Sequence, residues 1–344
     1  MAVVRRVSLV YISSPHPISF NVLLYVVNVS VSFKSTTLTL ITYLSILGSI
    51  LGPILFSIYI NDLPICLLQS KILLYADDAV LFYADSNIGN ISIVLNKDLK
   101  QFLSWTQLNK LCIHHVKTEY VLFGTQQRIA SATLSVGPFG LFLGDKPINQ
   151  PQHYKYLGVL IDANFNFKQH VDKPLVKISK RIGVLGRIRN NLTVDAANKV
   201  YQSLVLPVTD YCDVAWSSIG KIERDKLDRA QRRAARIVLK TKDSDTEKNL
   251  KWLPLSMRRD MHTINLTFKC LKGSPPMFFK DYFKVFRTVH NTGGSGHNLL
   301  LPKVRTETAR KSFYFNGSKL FNNIASEMKD SKSVVIFKTR SLEL

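Results

Sequence analysis

Residues 71–84, "KILLYADDAVLFYA", place two adjacent carboxylates, Asp77 and Asp78, between two short apolar runs. Both runs are aliphatic and aromatic, as β-strands are, and aspartate favours turns. We therefore predict a β-hairpin with the carboxylates at its turn. The pair has two interpretations, a solvated acidic turn or a metal site in which a divalent cation relieves the repulsion between the carboxylates. The pair alone does not decide between them.

The chain has 344 residues, enough for two domains with their own cores. It carries 46 Lys+Arg against 24 Asp+Glu, a formal net charge of +22. Such an excess indicates a polyanionic partner, most often nucleic acid and less often an acidic membrane. The four cysteines lie far apart in the sequence, and no two of them form a Cys-x-x-Cys pair. They indicate reduced thiols and an intracellular location, cytoplasmic or nuclear.

The first 61 residues contain no Asp or Glu, and the stretch Ser35–Asn61 has no charge at all. That stretch is long enough to span a bilayer. Its threonines and the glycines and proline of "GSILGP" favour a segment of protein core instead. We expect no membrane partner. We expect no signal peptide either, because Ser and Pro interrupt the apolar residues that follow Arg5 and Arg6.

The segments around the acidic pair predict an α+β region. Gly48–Pro64 has the pattern of a buried helix entered through a tight turn. One face of a following helix is apolar and consists of Ile91, Leu95, Leu99 and Phe102, with Lys97 and Asp98 elsewhere. Strands are predicted in Lys117–Gly124, 140–144 and Tyr154–Asp162.

After Asn166 the pattern changes to basic amphipathic helices. An apolar stripe consists of Leu175, Ile178, Ile182 and Leu185, and a second helix spans Arg224–Lys240. A solvated face is the ordinary interpretation of one such helix. Two of them with few acidic residues favour a nucleic-acid surface. Its candidate residues are Lys177, Lys180, Arg181, Arg232, Arg233 and Arg236.

Several blocks follow one another in a characteristic order. They are "GSILGPILFSIYINDLP" (48–64), "YADD" (75–78), "WTQLNKLCIHHVKTEYVLFG" (105–124), "YKYLGVLID" (154–162), "YQSLVLPVTDYCDVAW" (201–216), "LDRAQRRAARIV" (227–238), "LKWLPLSMRRDMH" (250–262) and "FNGSKLFNNI" (315–324). From about Gly48 to its end the chain resembles the reverse transcriptases of non-LTR (LINE, jockey-like) retrotransposons. "YADD" alone is a weak signal, whereas the ordered blocks are a strong one.

The resemblance implies an α+β fold, a polymerase palm remnant whose active site is a β-hairpin, followed by a mostly helical thumb and C-terminal region. It places the partial palm at 46–165, the basic helical thumb or connection at 166–291 and the C-terminal region at 298–344. Residues 1–45 are an unassigned apolar segment, expected to lie outside the family fold.

The resemblance also implies RNA-directed DNA polymerase activity with an RNA template, a DNA primer, deoxynucleoside triphosphates and Mg²⁺. Asp77 and Asp78 would be metal ligands and catalytic residues, and Tyr75 would lie near the primer end. Lys117 would donate charge or a proton to pyrophosphate, or else it is an ordinary surface lysine. Nucleic-acid contacts would come from Gly48, Tyr156, Leu157 and Gly158.

Three departures from the family's pattern weaken the catalytic expectation. The family completes its metal site with an aspartate on an earlier strand, and no carboxylate precedes Asp62 here. The basic fingers are also missing, and Ile46-Leu47-Gly48 replaces the family's Pro-Gln-Gly. His114 stands where the family has Asn, and a metal site with His115 is disfavoured because adjacent strand residues point to opposite faces.

These departures predict an N-terminally truncated, catalytically inactive copy. Three alternatives remain open at this point. They are an active polymerase with a carboxylate supplied from elsewhere, a non-catalytic basic nucleic-acid-binding remnant, and a membrane protein that uses residues 35–61 as a span.

Overall fold

The structure is a computed structural model that describes residues 23–33 (backbone only), 52–124, 127, 130–131, 140–243, 246–273, 279, 282–286, 298–304 and 307–341. The chain divides into two compact units. The N-terminal unit contains the described residues up to Tyr156 together with 161–164. The C-terminal unit contains residues 157–160 and the described residues from Phe165 onward.

The N-terminal unit is built on an antiparallel sheet. Its described elements are β1 (Leu23–Phe33), α1 (Gly52–Tyr59), a 3₁₀ turn (Leu63–Cys66), β2 (Lys71–Tyr75), β3 (Asp78–Asp85), α2 (Ile88–Leu108), β4 (Leu111–Ile113), a 3₁₀ turn (His115–Lys117) and β5 (Glu119–Phe123). The strand order is β2-β3-β1-β4, and β5 also pairs with β1. The central strand β1 therefore lies within residues 1–45, which the sequence analysis placed outside the family fold.

The predicted acidic hairpin is confirmed as a structural element. Tyr75 pairs with Asp78 across β2 and β3, so Ala76 and Asp77 form a two-residue loop. Ala76 has a positive φ of 50°. Two-residue hairpin loops favour such left-handed conformations because they match the right-handed twist of the strands.

The core of the N-terminal unit lies between α2 and one face of the sheet. Ile91, Leu95, Leu99 and Phe102 have no exposed surface, which confirms the predicted apolar stripe. They belong to one cluster with residues that the sheet contributes from alternate positions, including Ala79, Leu81, Tyr120 and Leu122. Alternation of this kind is expected for strands with one face on a helix.

Asp98 departs from the sequence prediction, which placed it away from the core. It is fully buried on α2. Its carboxylate accepts hydrogen bonds from the backbone N–H groups of Leu68, Gln69 and Ser70 at 2.9, 3.1 and 2.6 Å. Burial acts to raise the pKa of Asp98, but the hydrogen bonds from residues 68–70 outweigh it and lower that pKa. Asp98 thus fixes the loop that leads into β2.

The prediction of a buried helix over Gly48–Pro64 is wrong for the described part of that segment. α1 spans only Gly52–Tyr59, and its Ile54, Leu55 and Ile58 side chains are exposed. A 3₁₀ turn begins at Leu63. Only the end of the helix packs on the core, through Tyr59 and Ile60. The apolar face that suggested burial therefore has no cover from the part of the chain that the structure describes.

Two small hairpins complete the strands. β6 (Phe142–Leu143) pairs with β7 (Lys146–Pro147), and β8 (His153–Tyr156) pairs with β9 (Val159–Asp162). The single strand predicted over Tyr154–Asp162 is wrong, because a turn at Leu157 and Gly158 divides the segment into β8 and β9. The segment 140–144 contains the two-residue strand β6. The strand predicted over Lys117–Gly124 is confirmed as β5, which starts two residues later and ends one residue earlier. Lys117 consequently lies in the turn before β5 and not in the strand.

The C-terminal unit is helical. Its described elements are α3 (Lys168–Ile188), a 3₁₀ turn (Arg189–Asn191), α4 (Val194–Val200), a π turn (Tyr201–Val205), α5 (Leu206–Asp210), α6 (Lys221–Leu239), α7 (Thr246–Asn249), α8 (Leu255–Lys272), α9 (Glu307–Arg310), α10 (Phe313–Asn322), α11 (Ser326–Lys329) and α12 (Val334–Ser341). α8, α10 and α12 enclose an aromatic cluster that includes Phe268, Phe313 and Phe337.

The two predicted basic helices are α3 and α6, and they pack against each other. Ile178, Ile182 and Leu185 are buried on α3, whereas Leu175 is half-buried. Arg189 follows α3 and is buried, which is unusual for an arginine beside a basic helix face. Its guanidinium donates to the carbonyls of Ile237 and Val238, at the end of α6, and of Leu192. It therefore pairs the Val238 carbonyl, which the end of α6 leaves without an intrahelical partner.

No helix within the described residues is both long enough and apolar enough to cross a membrane. The alternative of a span over residues 35–61 falls partly on residues 35–51, which lie outside the described residues. Its remainder contains the eight-residue helix α1.

Candidate nucleic-acid and metal site

The acidic hairpin ends in a row of residues that crosses the sheet. Tyr75 on β2 pairs with Asp78 on β3, and Asp78 pairs with Ser30 on β1. Directly opposite positions on neighbouring strands share one face of a sheet. The row therefore contains a tyrosine, a carboxylate and a serine position, with Asp77 in the loop beside it.

The turn that carries Lys117 stands on the other side of β1. β1 pairs with β5 up to Asn28↔Glu119 and with β4 from Val31↔Ile113. The 115–117 turn connects these two pairings, so it lies next to position 30 of β1. His114 and His115 are both exposed at this turn. Among the described residues, neither histidine lies close enough to two further possible ligands to form a metal site with them.

The charges at this end of the sheet act on one another. Asp78 is half-buried, and this burial, followed by the neighbouring Asp77 charge, raises the pKa of its carboxyl, while the Lys117 charge opposes them. Asp77 and Lys117 are exposed. Tyr156 is buried, and that burial raises its pKa to about 12, with smaller contributions from Asp78 and Tyr75. The structure thus brings together Asp77, Asp78, Lys117, Tyr75 and Tyr156.

The other two predicted primer-contacting residues form the turn between β8 and β9. Leu157 has a φ of 44° and Gly158 a φ of 86°. A two-residue loop with two positive φ angles has the pattern of a type I′ turn, in which glycine is favoured. Gly158 is exposed. Gly48, the remaining candidate in the N-terminal half, lies outside the described residues.

The basic residues of α3 and α6 are presented as stripes. Arg229, Arg232, Arg233 and Arg236 are exposed and follow the spacing i, i+3, i+4, i+7, which places them on one face of α6. A matching exposed row on one face of α3 consists of Lys173, Lys177 and Lys180. Arg181 is half-buried and donates to the Leu204 carbonyl. Lys177, Lys180, Arg233 and Arg236 form no ion pair within the described ranges.

Comparison with known sequences identifies the N-terminal unit. The sequence model of the family "Reverse transcriptase (RNA-dependent DNA polymerase)" matches residues 21–161. This range includes the acidic hairpin, β1 and the β8–β9 turn. These residues therefore resemble a reverse transcriptase domain. The match starts at residue 21, upstream of the boundary at 46 expected from the sequence.

Several relatives of the chain come from mobile elements. The chain is 24% identical over 199 residues to a probable RNA-directed DNA polymerase from transposon X-element of Drosophila melanogaster. It is 25% identical over 190 residues to the RNA-directed DNA polymerase from mobile element jockey of Drosophila funebris. It is 26% identical over 185 residues to a Pol polyprotein from a type-1 retrotransposable element R1 of Nasonia vitripennis.

These matches cover 56%, 52% and 51% of this chain but 21%, 20% and 44% of the respective relatives. The chain therefore spans less than half the length of each of these relatives. Together with the family match, they confirm the resemblance to reverse transcriptases of non-LTR retrotransposons.

The sequence analysis missed a polar cluster in the C-terminal unit. Ligand-type atoms of Asp210, Asp213 and His262 lie within 4.8 Å of one another. The Arg258 guanidinium binds both oxygens of Asp210, at 3.3 and 2.5 Å, and His262 Nδ1 is 2.5 Å from Asp213. The Arg258 guanidinium neutralises Asp210, and its positive charge opposes a cation there. We therefore interpret the cluster as an ion-pair network that joins α8 to the end of α5.

Proposed function

We propose that this chain is a reverse transcriptase domain that binds an RNA template and a DNA primer through its basic residues but does not extend the primer. The observation that carries the proposal is the residue at position 30. The strand beside Asp78 offers a serine where the family requires a carboxylate.

The chemistry explains why this position matters. Nucleotidyl transfer uses two divalent ions about 4 Å apart, one on the attacking oxygen and one on the leaving group. Asp77 and Asp78 come from one loop and the first residue of one strand. Ligands on a single turn hold one ion from one side. Closing the site requires a carboxylate from the neighbouring strand, and β1 has none because the first 61 residues contain no Asp or Glu.

Lys117 offers no metal ligand in place of the missing carboxylate. Its positive charge acts on Asp78 and opposes the upward pKa shift that burial and the Asp77 charge cause there. The residues of the described row therefore fit a weak single Mg²⁺ contact at Asp77 and Asp78 and not the paired centre that the family implies. Deoxynucleoside triphosphates would lack the ions that normally orient their phosphates.

Primer extension tests this proposal directly. We expect the unmodified chain to give no product on a DNA-primed RNA template with either Mg²⁺ or Mn²⁺, and Asp77→Asn to leave that result unchanged. Extension that disappears in Asp77→Asn would refute the proposal, because it would mean that another carboxylate completes the site.

A gain-of-binding experiment separates the role of position 30 from general loss of activity. Ser30→Asp should tighten Mn²⁺ binding, measured by titration calorimetry, because it adds a carboxylate in register with Asp78. Ser32→Asp is the matched control. It pairs with Cys112 and lies past the end of β3, so it should change Mn²⁺ affinity much less. Circular dichroism of both variants checks that the sheet still forms. Equal Mn²⁺ affinities for both variants would contradict the assignment of position 30.

A non-catalytic nucleic-acid-binding protein is the second candidate, and the arginine stripe of α6 favours it. Each phosphate contact lowers the slope of log affinity against log salt by roughly 0.7–0.9. Replacing Arg232, Arg233 and Arg236 together by glutamine should therefore flatten that slope by about 2. Lys199→Gln is the control, because Lys199 already pairs with Asp195 at 2.8 Å. A salt-independent affinity of the unmodified chain would exclude both candidates.

A further inference from the structure

The turn between β8 and β9 is held by a hydroxyl group from another part of the C-terminal unit. Tyr211 follows α5, and its phenolic O–H donates to the carbonyl oxygen of Leu157 at 2.7 Å. Its ring also lies against Gly158, since a Cβ built on that glycine would be 3.3 Å from the ring carbon Cε1 and from the hydroxyl oxygen. One tyrosine thus contacts both residues of the turn.

Tyr211 is itself fixed in place. The indole N–H of Trp216 donates to the Tyr211 carbonyl at 2.9 Å, and Trp216 is almost fully buried. Cys212, the next residue, has a φ of 52°, which turns the chain sharply away from α5. The Arg259 guanidinium lies over the Trp216 ring at 5.1 Å from its centroid. Tyr211 is therefore held through its own carbonyl by a buried tryptophan, while 49% of the residue's surface remains exposed.

A second contact anchors the same turn from α3. The Leu160 N–H donates to Nδ1 of His170 at 3.2 Å. His170 is buried and makes edge contact with Trp216, with ring centroids 5.3 Å apart. The turn is therefore attached on both sides of Gly158, at Leu157 and at Leu160.

The direction of one peptide group follows from these contacts. In a trans peptide the C=O and the following N–H point in opposite directions. The Leu157 carbonyl is directed to the Tyr211 hydroxyl, so the Gly158 N–H is directed away from it, on an exposed residue. The hydrogen bond from the hydroxyl also partly neutralises the carbonyl oxygen, which is the negative end of that peptide dipole. An outward N–H with a masked carbonyl is a donor for an anionic oxygen.

We propose that Tyr211 is a positioning residue that orients the Leu157–Gly158 peptide so that the Gly158 N–H donates to a phosphate oxygen of bound nucleic acid. This inference rests on the proposed binding of a primer–template and on the nucleic-acid contacts that the resemblance implies for Leu157 and Gly158, and it adds the role of Tyr211. The contact uses backbone atoms of the turn, so it carries no base preference.

The test follows the Gly158 amide by NMR in full-length protein. The probe is a DNA–RNA duplex with a recessed DNA 3′ end, added at low salt without divalent ions. The Gly158 amide resonance of the unmodified chain should shift as the duplex binds. In Tyr211→Phe the shift should shrink and the affinity fall roughly threefold, the range expected for one hydrogen bond. Tyr314→Phe, which removes a hydroxyl from the aromatic cluster of the same unit, is the matched control and should match the unmodified chain.

Gly158→Ala provides an independent variant. Alanine is strained at a φ of 86°, and its methyl group would meet the Tyr211 ring, so the turn should shift and the affinity should fall at least as far as in Tyr211→Phe. Binding by the unmodified chain without any change at Gly158 would overturn this inference alone. Equal affinities of the unmodified chain and Tyr211→Phe would do the same. An absence of duplex binding by the unmodified chain at low salt would overturn the proposed function and this inference with it.

Discussion

His170 should make the C-terminal unit sensitive to mild acid. The ring is 5% exposed and packs against Trp216 and Phe167. Burial lowers the pKa of His170 to about 4, from an ordinary value of 6.5. Its Nδ1 accepts the hydrogen bond from Leu160, which requires the neutral ring with its proton on Nε2. Protonation removes that acceptor and buries a charge.

The sign and size of the effect follow from linkage. Between pH 6.5 and 4 the unfolded chain binds a proton at this site and the folded chain does not, so the free energy of unfolding falls as the pH falls. With those two pKa values, the loss between pH 7.5 and pH 5 is about 2 kcal/mol, and it approaches about 3 kcal/mol below pH 4. Stability from this group is fully present above pH 6.5.

Urea unfolding at pH 7.5 and pH 5, followed by tryptophan fluorescence, measures this loss. His170→Asn is the control, because its side-chain oxygen can replace Nδ1 as acceptor but does not titrate. That variant should be less stable at pH 7.5, since the smaller side chain leaves a cavity, and it should lose about 2 kcal/mol less between the two pH values. A loss of equal size in both proteins would show that other groups cause it and would refute the role of His170.

Two further predictions concern charged side chains that are buried. Asp98→Ala should destabilise the N-terminal unit by about 3 kcal/mol, because three backbone N–H groups before β2 lose their acceptor. Asp85→Ala, at the half-buried end of β3, removes an acceptor from the single backbone N–H of Asn87 and should cost under about 1 kcal/mol. Urea midpoints of the two variants test this, and equal midpoints would contradict it. Arg189→Met should cost about 2 kcal/mol, because the Val238 carbonyl loses its donor, whereas the Ile237 carbonyl keeps the Lys240 N–H. Arg187→Met is the exposed control, and hydrogen exchange at the end of α6 would show no change if Arg189 merely fills space.

The acidic hairpin and the α2 stripe could be predicted because the signal is local. Alternating or 3.6-residue patterns fix which side of an element faces the core, and two aspartates between apolar runs fix the turn. The same patterns fail for Asp98 and Arg189. Each is a charge on or beside an amphipathic helix, which a pattern assigns to solvent. Their burial depends on backbone groups from distant segments, Leu68–Ser70 and Ile237–Val238, which no local pattern contains.

β1 shows a different limit. Residues 28–33, "NVSVSF", alternate polar and apolar residues as a strand does, so the signal for the strand was present. The segment lacks the aspartate that the family carries on its earlier strand, so the family pattern did not predict the strand here. α1 shows the opposite error. Its apolar residues predict that the helix is buried, but the pattern does not say which segment covers it, and in the structure they are exposed.

Binding and catalysis depend on sequence in different ways, and this explains how the proposed function fits a basic chain without the third carboxylate. Affinity for a polyanion is spread over many phosphate contacts that act nearly independently, so the loss of any one lysine or arginine costs little. Phosphoryl transfer needs every ligand of a two-metal centre at once, and each 1.36 kcal/mol of lost stabilisation lowers the rate tenfold. A single serine at position 30 can therefore abolish primer extension. The basic stripes of α3 and α6, and the turn held by Tyr211, can still bind phosphate groups.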